Sequence, residues 1–312
     1  MDQFKSLFNE YWKRSEPFVF IIDFEQKKPR IWRIPDVAGE LLFDFEERKP
    51  KAQARKARLT ILPPSAGIYS GKFDIVMKHL LYGDSFLTNL TIKTKIGTDL
   101  SLRELFDIAN ARYKLYLKDS FLCFSPETFI QIKDGVVYTY PMKGTIDASI
   151  ENARHRILSD QKELAEHVTI VDLLRNDLSM IAEDVRVTRF RYVDKVHSLL
   201  QVSSEIRGKL LPSFFEDPAG ALLSLLPAGS ISGAPKKKTL DIIRQAEGED
   251  RGYYTGICGY FDGHTLDTGV MIRFIEQQGD ELFYRSGGGI TTQSNVSSEY
   301  KEAQDKIYVP TD

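Results

Sequence analysis

Four glutamates stand in two pairs, each with the spacing of a shared helix face. Glu163 and Glu166 are three apart in KELAEHVTIVDLLRNDL, and Glu299 and Glu302 are three apart in SSEYKEAQDK. Residues at i and i+3 of a helix face the same way. Two such faces meeting would offer a hard-oxygen cluster suited to Mg²⁺. Each pair alone has a plainer reading. Asp160 and Glu163 have the spacing of a helix N-terminal cap, and Glu166 or Glu299 can stand in solvent.

A lysine forms the second candidate. Lys143 sits in PMKGT (141–145), on a tight turn after an apolar strand. A lysine is a nucleophile only as the neutral amine, and at its ordinary pKa of about 10.4 it is almost wholly protonated at pH 7. Burial or a neighbouring cation would lower that value; on an open turn Lys143 is an ordinary surface residue. Glu127, in SPE (125–127), is the third. The stretch 125–143 is predicted as a hairpin about Asp134-Gly135, which would bring Glu127 and Lys143 together on neighbouring strands. That is an acid/base pair, or a cross-strand ion pair worth roughly 0.2–1 kcal/mol.

The remaining candidates suit anions. PAGSISGAPK (227–236) and SGGGI (286–290) carry bare backbone N–H groups in glycine-rich turns. The first lacks the Walker spacing, because Ala234-Pro235 stands between Gly233 and Lys236. Arg273 in MIRF and Tyr254 in RGYYTGICGY are predicted on neighbouring strands, a forked donor beside a hydroxyl. They read equally as a structural ion-pair partner and a core aromatic. The histidines (79, 155, 167, 197, 264) show no metal-ligand spacing, and His167 points about 100° around the helix from Glu166. Cys123 and Cys258 read as small core residues.

The elements that must position these groups mix hairpins with helices. FVFIIDF (18–24) is a buried strand, IWRI (31–34) alternates, and DIVMKHLLYGD (74–84) is helical up to Gly83. FLTNLTIKTKI (86–96) is a strand, and a meander of hairpins fills 121–145. Leu164, Val168, Val171, Leu174 and Leu178 recur on one helix face. Strands resume after Asp184, and a helix at 235–247 opens at Pro235. GYYTGICGYFDG, GVMIRFI and ELFYRSGGGI read as three strands, and a last helix runs from Ser297 to Lys306. The class is α+β with large antiparallel sheets. No linker is visible, so residues 1–312 are read as one domain.

Composition narrows the function. The chain has 312 residues with 42 Lys+Arg against 44 Asp+Glu, so there is no basic excess of the kind nucleic acids require. No apolar run approaches the ~20 residues of a membrane span, and no signal peptide is visible. Two cysteines make no disulfide framework. A cytoplasmic location is expected, without nucleic-acid or membrane partners.

Taken together and in order, SPETF, YPMKGT, KELAEHVTIVDLLRNDL, PAGSISGAPKKKTLDII, RGYYTGICGY, MIRF and SGGGITTQSNVSSEYKEAQDK resemble the chorismate-utilising enzymes. The resemblance covers residues 71–308; residues 1–70 look like a shortened N-terminal segment. It implies an α/β/β/α layered fold with two orthogonally packed antiparallel sheets. Within the family, Lys143 resembles the branch that forms 4-amino-4-deoxychorismate for p-aminobenzoate and folate; the other branches usually carry alanine there. The resemblance implies that the Lys143 amine adds to C2 of chorismate and that Glu127 assists departure of the 4-hydroxyl. It further implies Mg²⁺ held by Glu166 and Glu302, with Glu163 and Glu299 nearby. Tyr254 and Arg273 are implied at the enolpyruvyl carboxylate, Gly287 and Gly289 as a backbone anion loop, Thr145 beside Lys143, and Lys306 as a basic substrate-binding residue.

Two features depart from the family. Many members have a histidine in an HLVS-like motif, where aligning Ser204–Gly208 places Gln201; His197 lies four residues earlier. The shortened N-terminus leads us to expect no tryptophan site. Ammonia is expected from a separate glutamine amidotransferase subunit. The rival readings are an anthranilate synthase component I and a non-catalytic chorismate-binding subunit.

Overall fold

The computed structural model describes residues 1–37, 39–45, 57–196 and 199–311. In chain order its elements are α1 (Asp2–Lys13), β1 (Phe18–Ile22), β2 (Arg30–Arg33), β3 (Leu41–Asp44), β4 (Leu59–Leu62), α2 (Ala66–Tyr82), β5 (Leu87–Thr98), α3 (Leu102–Ile108), β6 (Tyr113–Leu117) and β7 (Phe121–Ser125). There follow β8 (Thr128–Lys133), β9 (Val136–Thr139), β10 (Met142–Asp147), α4 (Ala153–Ser159), α5 (Gln161–Leu178), β11 (Ala182–Val196) and β12 (Leu199–Leu210). The chain ends with α6 (Pro212–Glu216), α7 (Pro218–Ser224), α8 (Gly229–Ser232), β13 (Gly233–Ala234), α9 (Lys236–Glu247), β14 (Ile257–Phe261), β15 (Leu266–Val270), β16 (Phe274–Gln278), β17 (Glu281–Ile290) and α10 (Val296–Asp305). There are two sheets, of nine and eight strands, and the strand registers are antiparallel. Among the described residues no helix is long and apolar enough to cross a membrane.

The chain gathers into two compact units, each assembled from three segments. The first unit comprises Met1–Phe18, Thr128–Ser230 and Gly259–Thr268. Its spine is β12. One edge of β12 pairs with β11 along its length. The other edge is shared end to end, by β9 against Ile206–Lys209 and by β10 against Leu199–Ser203. Pro141 marks the junction. It has no N–H to donate, while its carbonyl accepts from Ser204 N at 3.0 Å. Helix α1 is anchored by Asn9, which donates to Asp217 and accepts from the Ala219 N–H. Trp12 of α1 stacks on Phe261 with ring centroids 4.4 Å apart.

The second unit comprises Val19–Glu127, Ile231–Cys258 and Gly269–Asp312. Its eight-stranded sheet runs β13-β5-β17-β16-β7-β6-β3, with β4 also on β5. The β5–β17 pair keeps an unbroken register from Leu282↔Ile96 to Ile290↔Thr88. Tyr69, Phe73, Val76 and Leu80 of α2, Ile242 of α9 and Ala303 of α10 pack with Leu90, Ile92 and Ile290 of those strands. Removing such side chains from water is the main stabilising contribution, about 25 cal/mol per Å² of apolar surface.

A buried ion pair ties α9 to this sheet. Arg251, 1 % exposed, donates twice to Glu247 and also to the carbonyls of Ile231 and Asn89. Glu247 accepts in addition from the backbone and hydroxyl of Thr91. Breaking one partner strands a charge in the interior. Arg251→Met is therefore expected to lower unfolding stability by about 3–5 kcal/mol, read from urea denaturation; a change within 0.5 kcal/mol, the scale of a surface substitution, would refute this.

Several predicted elements differ from those observed. Helix α2 begins at Ala66, eight residues before the predicted start, and ends as expected with Gly83 at φ +87°. Val171, Leu174 and Leu178 of α5 are buried as expected, but Val168 is exposed, and His167, Ile170 and Asp177 are buried beside them. GVMIRFI is two strands, interrupted at Met271–Arg273, where Arg273 has φ +53°. Tyr254 lies in a turn ahead of β14, and SGGGI is the end of β17 and not a turn. The predicted hairpin closes correctly about Asp134-Gly135, pairing Lys133 with Val136. It does not extend to Lys143: past Pro141 the chain leaves β8 and β9 and pairs along β12, so Lys143 is not on a strand next to that of Glu127. His197 lies outside the described residues.

Candidate functional site

In the first unit the PMKGT turn and α5 meet. Strand β10 is irregular between Met142 and Thr145, and this displaces Lys143 and Gly144 from the ladder. Gly144 has φ +91°, a conformation that favours glycine, and a Cβ there would come 3.3 Å from Glu163 Oε2. Lys143 Nζ lies 3.4 Å from Glu166 Oε2, both side chains mostly buried. Asp160 caps α5 by accepting from Glu163 N, which sets the helix start and hence the facing of both glutamates. Thr145 is exposed and pairs directly with Gln201. Gln201, which stands where the resemblance implied a histidine, is thus opposite Thr145, one strand from the lysine turn.

His167 is the functional-site candidate that local sequence reasoning passed over. It is fully buried, and its Nε2 lies 2.7 Å from Ser204 Oγ. That oxygen already accepts from Arg191 N at 2.9 Å. Nδ1 has no hydrogen-bond partner among the described residues. Burial, and then the charges of Arg191 and Lys143, pull His167 down to about 4. Since the folded value lies below the unfolded one, the unfolded chain binds the extra proton first. Stability should be whole above pH 6.5 and fall between pH 6.5 and 4, by something on the order of 2–3 kcal/mol. His167→Gln should flatten this limb of a pH-stability curve; an unaltered limb would show that other groups produce it. Only a contact with a strand 37 residues away identifies His167, so no local signal could have.

In the second unit, α10 lies over the glycine run of β17. Asn295 caps α10 by accepting from Ser297 N and Ser298 N. Glu299 is buried and Glu302 exposed. A Cβ on Gly288 would sit 3.4 Å from Glu302 Oε1 and 3.6 Å from both Glu299 Oε2 and Lys306 Nζ. The glycine leaves room for three charged groups to converge. Lys306 Nζ donates to Glu302 Oε1 at 2.7 Å and to the Gly287 carbonyl at 2.9 Å. Gly289 pairs with Asn89 in the ladder. The burial of Tyr69 beneath α10, beside Glu299 and Glu302, raises its phenol well above the ordinary value.

Tyr254 and Arg273 are brought together by a backbone zipper. Thr255 N donates to Met271 O, and Met271 N to Gly256 O, both at 2.8 Å. Phe124 N donates to Arg273 O and fixes the strained residue in place. The Arg273 guanidinium lies 5.3 Å over the Tyr308 ring, and its buried Nε has no hydrogen-bond partner among the described residues. Burial pushes the Tyr254 hydroxyl up to about 12, so it stays a neutral donor. A guanidinium with a buried, unused Nε–H is suited to a carboxylate. Glu127 is half-buried at the end of β7; its N–H donates to Ser125 Oγ and its carbonyl accepts from Val270 N.

Among the described residues no group of three or more His, Cys, Asp and Glu is arranged to hold a metal ion. Each unit offers instead two glutamates three residues apart, with a lysine. That donor set, all carboxylate oxygen, fits Mg²⁺, which usually takes one or two carboxylates and completes its shell with water or substrate.

The chain belongs to the chorismate-binding enzyme family, whose description matches residues 23–312. It is 47% identical to an uncharacterised PabA-like protein of Haemophilus influenzae, over 99% of this chain and 97% of that protein. Aminodeoxychorismate synthase component 1 of Bacillus subtilis is 29% identical over 79% of this chain and 57% of its own length. Anthranilate synthase component 1 of Acetivibrio thermocellus is 34% identical over 72% of this chain and 48% of its own. Among solved structures, anthranilate synthase component I from Streptococcus pneumoniae matches with a TM-score of 0.69 and 27% identity, covering 82% of this chain and 60% of that one. The menaquinone-specific isochorismate synthase of Escherichia coli shares the fold, with a TM-score of 0.75 at 16% identity over 98% of this chain and 80% of that one. The two antiparallel sheets with their helices are therefore those of the chorismate-utilising enzymes.

Proposed function

We propose that the chain aminates chorismate at C4 to give 4-amino-4-deoxychorismate, on the route to p-aminobenzoate and folate. The observation that carries this reading is Lys143, displaced from its ladder at the PMKGT turn with its amine beside Glu166. In this scheme the amine adds to C2 as the double bond shifts and the 4-hydroxyl leaves. Glu127 gives that hydroxyl its proton, so it departs as water. Ammonia then adds at C4, the double bond shifts back, and the C2–N bond to Lys143 breaks. The sum is chorismate plus ammonia giving product plus water. Arg273 and Tyr254 hold the enolpyruvyl carboxylate, and Lys306 with the amides of Gly287 and Gly289 adds positive character for the dianion. Mg²⁺, held by Glu163, Glu166, Glu299 and Glu302, would offset the charge of the ring carboxylate. Ammonia comes from a separate glutamine amidotransferase subunit.

A second reading, anthranilate formation, draws on the 34% identity to an anthranilate synthase component 1. Product analysis with chorismate, Mg²⁺ and ammonium separates the two. Addition of a pyruvate-releasing lyase should yield p-aminobenzoate; anthranilate in its place would overturn the proposal.

A further inference from the structure

Each glutamate pair has a lysine beside it, in a contact with a carboxylate that the reaction scheme does not use. In the second unit Lys306 Nζ donates to Glu302 Oε1, and Glu299 Oε2 lies in the same small space beside Gly288. In the first unit Lys143 Nζ stands 3.4 Å from Glu166 Oε2, and Glu163 Oε2 faces the adjacent Gly144. The same set occurs twice: two glutamates at i and i+3, a lysine ammonium on one of them, and a glycine that leaves space.

We infer that Lys306 and Lys143 are resident counter-cations of the two glutamate pairs, and that a divalent cation must displace them when it binds. The inference rests on the reading of these glutamates as a divalent-cation site.

Mg²⁺ at ~2.0–2.1 Å from an oxygen that accepts from an ammonium at 2.7 Å would bring like charges close together, and that repulsion favours departure of one of the two. The ammonium is the mobile one, on a flexible four-carbon stem that carries its charge readily into water. The Lys306 side chain is 27% exposed and that of Glu302 55%, so a path to solvent is open. In the first unit the same displacement moves Lys143 off Glu166. The metal affinity of the free protein is then set by competition with its own lysines.

The test is calorimetric titration of the metal-free full chain with Mn²⁺, without chorismate. Lys306→Met is expected to tighten Mn²⁺ binding about tenfold, the yield of removing one part-buried ionic competitor. Lys143→Met should move it in the same direction. Lys301→Met, which removes an equal charge from the exposed side of α10, is the control for general electrostatics and should change little. Lys306→Gln serves if the methionine variant does not fold. Lys306→Met binding Mn²⁺ no more tightly than Lys301→Met would overturn the displacement and leave the proposed reaction standing. Wild-type protein that takes up no Mn²⁺, with or without chorismate, would remove the metal reading and this inference together.

Discussion

Lys143→Ala and Lys143→Arg are both expected to lower amination of chorismate roughly a thousandfold or more at saturating ammonium, the scale on which a positioned reactive group is missed. Both variants should still bind chorismate, because Arg273, Tyr254 and the β17 backbone are untouched. The arginine variant decides between roles. Guanidinium keeps the charge and the partnership with Glu166, yet it stays protonated and does not attack carbon. A residue needed only as a cation would tolerate the change. Steady-state amination at saturating ammonium, with chorismate binding measured separately, checks this. Near-normal turnover by Lys143→Arg would end the covalent scheme.

Glu166→Gln and Glu302→Gln should each reduce metal-dependent turnover nearly to background while the fold persists. The amide keeps the shape of the carboxylate and removes the charge that a hard cation requires. Glu302 is exposed, so its replacement should shift unfolding stability by no more than about 0.5 kcal/mol. Rates measured across a Mg²⁺ series, beside a thermal melt, separate lost chemistry from lost structure. Wild-type rates and metal dependence in both variants would show that these carboxylates do not hold the ion.

What the sequence made legible is largely what local physics determines. The Asp134-Gly135 turn closes where expected because the pair accepts positive φ. Helix α5 begins at Asp160 because its side chain caps Glu163 N, and α2 stops at Gly83, which takes the left-handed conformation. The misreadings share one cause, namely partners distant in sequence. Leaving Pro141, the chain pairs along β12, which lies some sixty residues downstream, and no local pattern in 141–147 reveals that choice. The glycines at 287–289 resemble a turn, but β5 pairs with every one of them and α10 lies over Gly288. Val168 fits a heptad-like face by spacing, yet it is exposed while His167 is buried against Ser204. Tyr254 and Arg273 were singled out by residue type, and only the backbone bonds between 255–256 and 271 explain how two non-strand residues come together. The glutamate pairs were visible from spacing, whereas their lysine partners depend on side-chain positions that spacing does not give.

The interleaving of the two units bears on how the protein is made. The chain crosses from one to the other at 18/19, 127/128, 230/231, 258/259 and 268/269. A ribosome releasing this chain from its N-terminus therefore cannot finish the first unit until Thr268 has emerged, and the second waits for the last residues. Domains that are continuous in sequence can fold one after another during synthesis. Here that order is closed: strands such as β5 must wait, unpaired along an edge, for β17 almost two hundred residues later. Strand edges exposed for so long are aggregation-prone, so yield in the cell should depend on translation rate and chaperone supply more than on the stability of the finished fold. The same threading means that no single cut yields a self-contained half, and expression of either unit alone would require circular rejoining of three separate segments.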